Sequence, residues 1–172
     1  VSTPSPLPAN PAPTQVAAPA PARFAERRAD EALDRIADLV SMRRTARGRV
    51  ITLASDDLFA PGQWTLTVDP EVGLADIASA LSEQGARLIL VEAHTDSLGD
   101  ARDDTAISQR RADAVRSYLV AHGANATRVR ATGLGPRDPV ADNGNADGRV
   151  ANRRVEIVIE PAGEDRARGD RR

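Results

Sequence analysis

From residue 48 onward the hydrophobic positions fall into short blocks whose spacing keeps changing, and each change predicts an element. Over 49–59 (RVITLASDDLF), Val50, Ile51, Leu53 and Leu58 make a β-leaning run. Asp69-Pro70 then predicts a helix start, because aspartate caps a helix N-terminus and proline suits the first helical position. Leu74, Ile77, Ala78 and Leu81 supply the apolar face of that helix, and Gly85 its C-terminal stop. Leu88 to Val91 is a continuous apolar run within 87–96, the pattern of a buried strand. A long helix follows over 101–123, stopped by Gly123, and RVRAT at 128–132 alternates as a short strand. Residues 133–152 are so rich in Gly, Asn, Asp and Pro that they read as a loop. In 153–160, Val155, Ile157 and Ile159 alternate with Arg154, Glu156 and Glu160, as in a half-buried strand. The order β-α-β-α-β-β predicts an α/β (α+β) two-layer sandwich, with helices packed on a sheet.

Ahead of this block the texture is different. Residues 23–47 place Ala29, Leu33, Ile36 and Val40 at alternating spacings of four and three, one narrow apolar stripe on a charged helix. Glu31 and Arg35 are spaced to pair along it. Such a stripe either docks on the following domain or dimerises as a short coiled coil, and two heptads do not choose between them. Residues 1–22 hold seven of the twelve prolines and no charge. They read as a disordered Pro/Ala linker, extended and up to about 70 Å long at ~3.1 Å per residue. Residues 161–172 read as a disordered charged tail.

Composition removes several functions. The 172 residues carry 23 basic and 25 acidic side chains, a net charge of −2, which argues against a nucleic-acid partner. There is no cysteine, so thiol catalysis, disulfides and thiolate metal sites are excluded. With two histidines, His94 and His122, a histidine-rich metal site is excluded too. No apolar run is long enough to span a membrane. The chain starts at Val1 without initiator Met, basic n-region or apolar h-region, so any anchor is expected upstream. Asn143 to Gly148 resembles the start of a calcium loop, but position twelve is Arg154 rather than Glu. His94-x-Asp96 lacks further metal ligands, and no nucleophile–base set stands out. No cofactor, no metal and no enzymatic activity are expected.

One helical position does not fit a core. With Ile107 at 0° on the 101–123 helix, Arg111 falls at about 40°, among Ala114, Val115, Tyr118 and Leu119. Asp104 lies on the same face, one to two turns earlier. A guanidinium at a leucine position requires a partner, and its fork suits a carboxylate. Asp96 is placed at the carboxyl end of the buried strand, where α/β folds gather ligands. Asp96 and Arg111 therefore either bridge each other internally or stand apart and clamp a zwitterion.

These segments carry a resemblance. VEAHTDSLGDARDDTAISQRRADAVRSYLVAHG, then RVRATGLGPRDPVADN and GRVANRRVEIVIE, contain a TD-x-x-G turn, an S-x-x-RA helix, a G-x-G-x-x-x-P loop and an NRRVE strand, in that order. Over 48–160 the chain resembles the OmpA C-terminal-like domain, a family with Pal-type lipoproteins and MotB-like stator proteins. The resemblance implies helices packed on a mixed four-stranded sheet and non-covalent binding of peptidoglycan through the diaminopimelate of its stem peptide. It implies that Asp96 holds the ligand ammonium and Arg111 its carboxylate, with Thr95 bonding ligand or loop and Arg154, or else Arg153, lining the site. Two positions depart from the family pattern. Asp104 stands where Asn is usual, which would attract the ammonium and repel the carboxylate. Ala60-Pro61-Gly62 offers no polar side chains in the first loop.

The implied protein is periplasmic, associated with the outer membrane of a Gram-negative bacterium, and ties that membrane or an envelope complex to the wall. The alternatives are a stator-like wall anchor of an inner-membrane complex, or a module that self-associates through 23–47 and has a degenerate wall site.

Overall fold

The structure is a computed structural model and describes residues 20–67, 73–85 and 87–161. The expected helix start at Asp69-Pro70, most of the linker and the tail beyond Pro161 lie outside the described residues. The elements run α1 (Ala20–Ile36), β1 (Ser41–Thr45), β2 (Gly48–Ala54), α2 (Ser55–Leu58), α3 (Leu74–Ser82), β3 (Ile89–His94), α4 (Ala101–Ala121), β4 (Val129–Gly135), α5 (Ala146–Asn152) and β5 (Arg154–Ile159). The strands form one mixed sheet in the order β1-β2-β5-β3-β4. Only β3 and β4 are parallel, and α4 makes the crossover between them.

Alternation along the strands sends Ile51, Leu53, Ile89, Val91, Ala93, Val155, Ile157 and Ile159 into a single core. The helices close that core with Leu33, Ile36, Ile77, Leu81, Ala112, Val115 and Leu119. Each fully buried aliphatic side chain contributes about 1.5–3 kcal/mol. Helices on one face of a sheet are the two layers expected.

Four expectations change. The sheet has five strands rather than four. The helix expected over 23–47 ends at Ile36, and residues 41–45 form an edge strand turned back by Ala46-Arg47 against β2. That strand escapes pattern reading because only Met42 is even half-buried. A domain boundary at 48 therefore falls inside a hairpin, and α1 belongs to the same core. Its stripe is consumed within the chain: Ala29, Leu33 and Ile36 are buried, and α1 packs on α3. Docking, rather than dimerisation, is the use the structure makes of it.

The strand at the C-terminal end is buried on both faces instead of one. Its polar positions are matched: Arg154 Nε donates to Glu156 Oε1 at 2.9 Å, and Arg43 reaches the same oxygen at 3.1 Å. The expected loop 133–152 contains more order than its composition predicts. β4 runs on to Gly135, and Asn145 caps α5, accepting the Gly148 N–H at 2.7 Å. Asn143 to Gly148 is thus a turn and a helix cap.

Two motifs interlock directly. Gly133 N–H donates to Gln109 Oε1 (2.8 Å) and Gly135 N–H to Ser108 Oγ (2.9 Å). A Cβ on Gly133 would lie 2.1 Å from the Gln109 backbone nitrogen. The glycines let β4 lie against α4, and this fixes the rotation of the helix that carries Arg111. On the opposite face of the sheet, His94 is buried and its Nδ1 lies 3.0 Å from the Arg137 carbonyl oxygen. Glu92 and Glu156 come close to it, but Arg47 holds Glu92 while Arg154 and Arg43 hold Glu156.

Gly133→Ala is expected to destabilise the fold by about 2–3 kcal/mol, read from urea midpoints, because rigid backbone must move. Burial holds the His94 pKa below its ordinary value, so between the two values the unfolded chain binds the extra proton. Stability is then complete above about pH 6.5 and falls as pH drops below it. Melting curves from pH 7.5 to 5 should show this slope, and His94→Gln should flatten it.

Candidate functional site

Topology brings four strand ends to one edge. The carboxyl ends of β2, β3 and β4 and the amino end of β5 all lie there, because β5 is antiparallel to β2 and β3 while β3 is parallel to β4. Their connections are tied by backbone bonds: Ser55 N–H to the Arg153 carbonyl (2.9 Å) and Thr95 N–H to the Gly135 carbonyl (2.9 Å). Fully buried Asn152 fixes the 140–143 turn. Its Oδ1 accepts the Val140 and Ala141 N–H groups, and its Nδ2 donates to the Ala141 carbonyl and to Asn143 Oδ1.

Asp96 leaves β3 in this setting. Its Oδ1 accepts the Leu98 N–H at 3.1 Å, and its Oδ2 accepts Arg153 Nη1 at 2.8 Å. These bonds hold its carboxyl pKa below the usual range despite partial burial. Thr95 is buried, and its hydroxyl donates to the Asp96 carbonyl at 2.9 Å, bracing the turn. Asp100 then caps α4 by accepting the Arg102 N–H.

Arg111 is 6 % exposed, as its place on the helical wheel requires. Nε donates to the Gln63 carbonyl at 2.9 Å, and the guanidinium carbon lies 5.2 Å from the centre of the Phe59 ring. Among the described residues no carboxylate forms an ion pair with it, and its terminal nitrogens have no hydrogen-bond partner. Burial lowers its pKa, Asp56 opposes that, and Arg153 adds to it. The group stays charged all the same. The internal Asp96–Arg111 bridge is not formed.

Asp104 sits on the first turns of α4, half-buried, with Oδ2 enclosed and unpartnered among the described residues. Burial raises its pKa, and Asp96, Asp100 and Asp103 raise it further. Its charged neighbours are therefore those at the Asp96 end. Those acting on Arg111 are Asp56 and Arg153.

Of the two arginines considered for the last strand, the structure brings Arg153 to the site and sends Arg154 to the opposite face of the sheet. There Arg154 is closed in by Glu156 and the Asp138 carbonyl. Arg153 instead spans two carboxylates: Nε and Nη2 engage Asp56 (3.1 and 2.7 Å) while Nη1 holds Asp96. Its pKa is raised accordingly. Sequence reasoning missed Asp56. It stands on α2, two residues past the carboxyl end of β2, so the rule that singled out Asp96 two residues past β3 points to it equally. Gln63 was missed because it acts through its main-chain carbonyl, which no side-chain pattern reveals.

The site thus contains three carboxylates, from Asp56, Asp96 and Asp104, and two guanidiniums, from Arg111 and Arg153. It can hold a small ligand carrying both an ammonium and a carboxylate. No nucleophile paired with a base is present among these groups.

Known proteins share this arrangement of elements. The model of the OmpA family matches residues 58–153. The chain is 35 % identical over 122 residues to the probable lipoprotein YiaD of Escherichia coli, an alignment covering 71 % of this chain and 56 % of that protein. It spans about half or less of the length of the first curated relatives it matches. The cell wall anchor of the T6SS from Pseudomonas aeruginosa has the same fold, with a TM-score of 0.63 and 31 % identity, over 79 % of this chain and 96 % of that one. The peptidoglycan-associated lipoprotein from Burkholderia pseudomallei superposes with a TM-score of 0.56 at 27 % identity, over 63 % of this chain and 89 % of that one. With more than half its length matched by the family model, and the same fold in these solved structures, the chain belongs to the OmpA family.

Proposed function

We propose that this protein binds peptidoglycan non-covalently and recognises the diaminopimelate residue of the stem peptide. The observation that carries the reading is Arg111: a buried guanidinium whose terminal nitrogens have no partner among the described residues, with Asp56 acting on it and Arg153 linking Asp56 to Asp96. Its open fork suits the terminal carboxylate of diaminopimelate. The ammonium on the same carbon goes to Asp96 and Asp104. The departure at Asp104 then strengthens the ammonium seat, since its electrostatic neighbours lie at the Asp96 end rather than around Arg111. In the free protein Arg153 occupies part of that seat, and the ammonium displaces Nη1 while Asp56 keeps the rest of the guanidinium.

The activity is recognition, with no bond made or broken. The similarity to a cell wall anchor and to envelope lipoproteins supports a role tying the outer membrane or an envelope complex to the wall. A stator-like anchor on an inner-membrane complex uses the same site. Self-association through 23–47 has less support, since the stripe that would mediate it is buried on α3.

Asp96→Ala and Arg111→Ala should each weaken binding to diaminopimelate-type muropeptides at least about thirtyfold by calorimetry, as removal of one partner of a buried charge pair does. Circular dichroism should show both variants folded. Undiminished co-sedimentation of both with sacculi sinks the assignment. Lysine-type muropeptides lack the carboxylate and would leave Arg111 unpaired, so they should bind at least tenfold more weakly. For Asp104, a raised folded pKa means that stability is lost as pH rises through it. Asp104→Asn should therefore melt higher at neutral pH, by roughly 1–3 °C, while binding the muropeptide more weakly.

A further inference from the structure

The described chain exposes few large apolar side chains, and four of them stand close in sequence to residues that build the site. Trp64 follows Gln63, whose carbonyl holds Arg111, and Leu98 lies two positions beyond Asp96. Val140 is anchored by Asn152, and Val150 is on α5 just ahead of Arg153. Of these, Trp64 is tied to the site through the Gln63–Arg111 bond, and it is the aromatic among them. It is 41 % exposed, and the Arg110 guanidinium lies 4.4 Å from its ring centre. Arg110 precedes Arg111 on α4, so adjacent guanidiniums serve different ends: one is buried against the Gln63 carbonyl and the Phe59 ring, and one backs the indole. A cation over one ring face holds the ring against the helix. It leaves the remaining exposed surface of the indole as a flat apolar plate, one residue from the Gln63 carbonyl that holds Arg111.

We propose that Trp64 is a stacking platform for a sugar ring of the glycan strand, which extends the site from the stem peptide to the polysaccharide. This rests on the wall-binding reading above. The chemistry favours a sugar over more peptide. The charged end of the stem is satisfied within the Asp96–Arg111 cluster, and a pyranose presents one face of C–H groups rimmed by hydroxyls and amides. That face fits an indole plate, while the rim remains in water or bonds to neighbouring polar groups. The loop from Ala60 to Gly62 offers no polar side chain to read the sugar, so contact there falls to Gln63, whose side chain is exposed, and to the Trp64 ring. Indole loses little side-chain freedom on binding, which suits a surface position.

Trp64 is the sole tryptophan of the chain, so its emission reports on this contact directly. The test titrates the full chain with a disaccharide–peptide carrying diaminopimelate and, separately, with the same stem peptide lacking sugars. The expected result is about tenfold tighter binding of the disaccharide–peptide, with an emission shift that the bare peptide does not cause. Trp64→Ala should bring the two affinities together by calorimetry, leaving bare-peptide binding unchanged, and Trp64→Tyr should restore part of the preference. Equal affinities for both ligands in the unaltered protein overturn the platform and leave the diaminopimelate site standing. Equal loss of both ligands in Trp64→Ala overturns it as well. If neither ligand binds the unaltered protein, the wall-binding reading fails and the platform fails with it.

Discussion

A guanidinium enclosed by protein and lacking a carboxylate is costly, because burial removes water that nothing else replaces. Arg111 is in that position on the core side of α4, and the surrounding structure limits the cost without eliminating it. The Gln63 carbonyl accepts one N–H, the Phe59 ring lies across the guanidinium, and Asp56 acts on it from the end of β2. A fuller internal partner would neutralise the charge. Asp96 is prevented from becoming one because Arg153 holds it. The separation of positive and negative ends therefore depends on a second arginine, whose own fork is shared between two aspartates.

The alternation of β5 explains why one arginine of a consecutive pair performs that task and the other cannot. Arg153 precedes the strand, where the chain is free to turn toward the site. Arg154 is the first residue of the strand and must face away from the helices, where Glu156, two positions on and on the same face, neutralises it. Swapping the two roles would require a one-residue slip of β5, which would move Val155, Ile157 and Ile159 out of the core.

The core elements and the position of Arg111 were legible in the sequence, because amphipathic spacing is a direct record of which side of an element is buried. β1 was not, since an edge strand carrying Ser, Met, Arg, Arg and Thr buries almost nothing and is held by its partner's backbone. α5 was hidden for a related reason. Asp147, Gly148 and Asn152 favour turns individually, and the helix is stabilised by the Asn145 cap and by buried Asn152, which bonds to Val140 and Ala141. At the site, Asp96 and Asp104 were found from their places on elements. Asp56 and the Gln63 carbonyl depend on the meeting of distant segments, and the pairing of Asp56 with Arg153 spans 97 positions.

The sheet order has a consequence for how the molecule comes into being. β5 follows the other described strands in the chain, yet it lies between β2 and β3 and, among the described residues, is the strand that joins them. Until residue 159 is available, the β1–β2 hairpin and the β3–α4–β4 unit have no common neighbour within the sheet, and closing the loop between them is entropically expensive. A chain that lacks β5 thus consists of two half-sheets with open edges, with Asp56 on one piece and Asp96, Asp104 and Arg111 on the other. The Asp56–Arg153–Asp96 link, which joins the two, therefore forms in one late step, together with the fold.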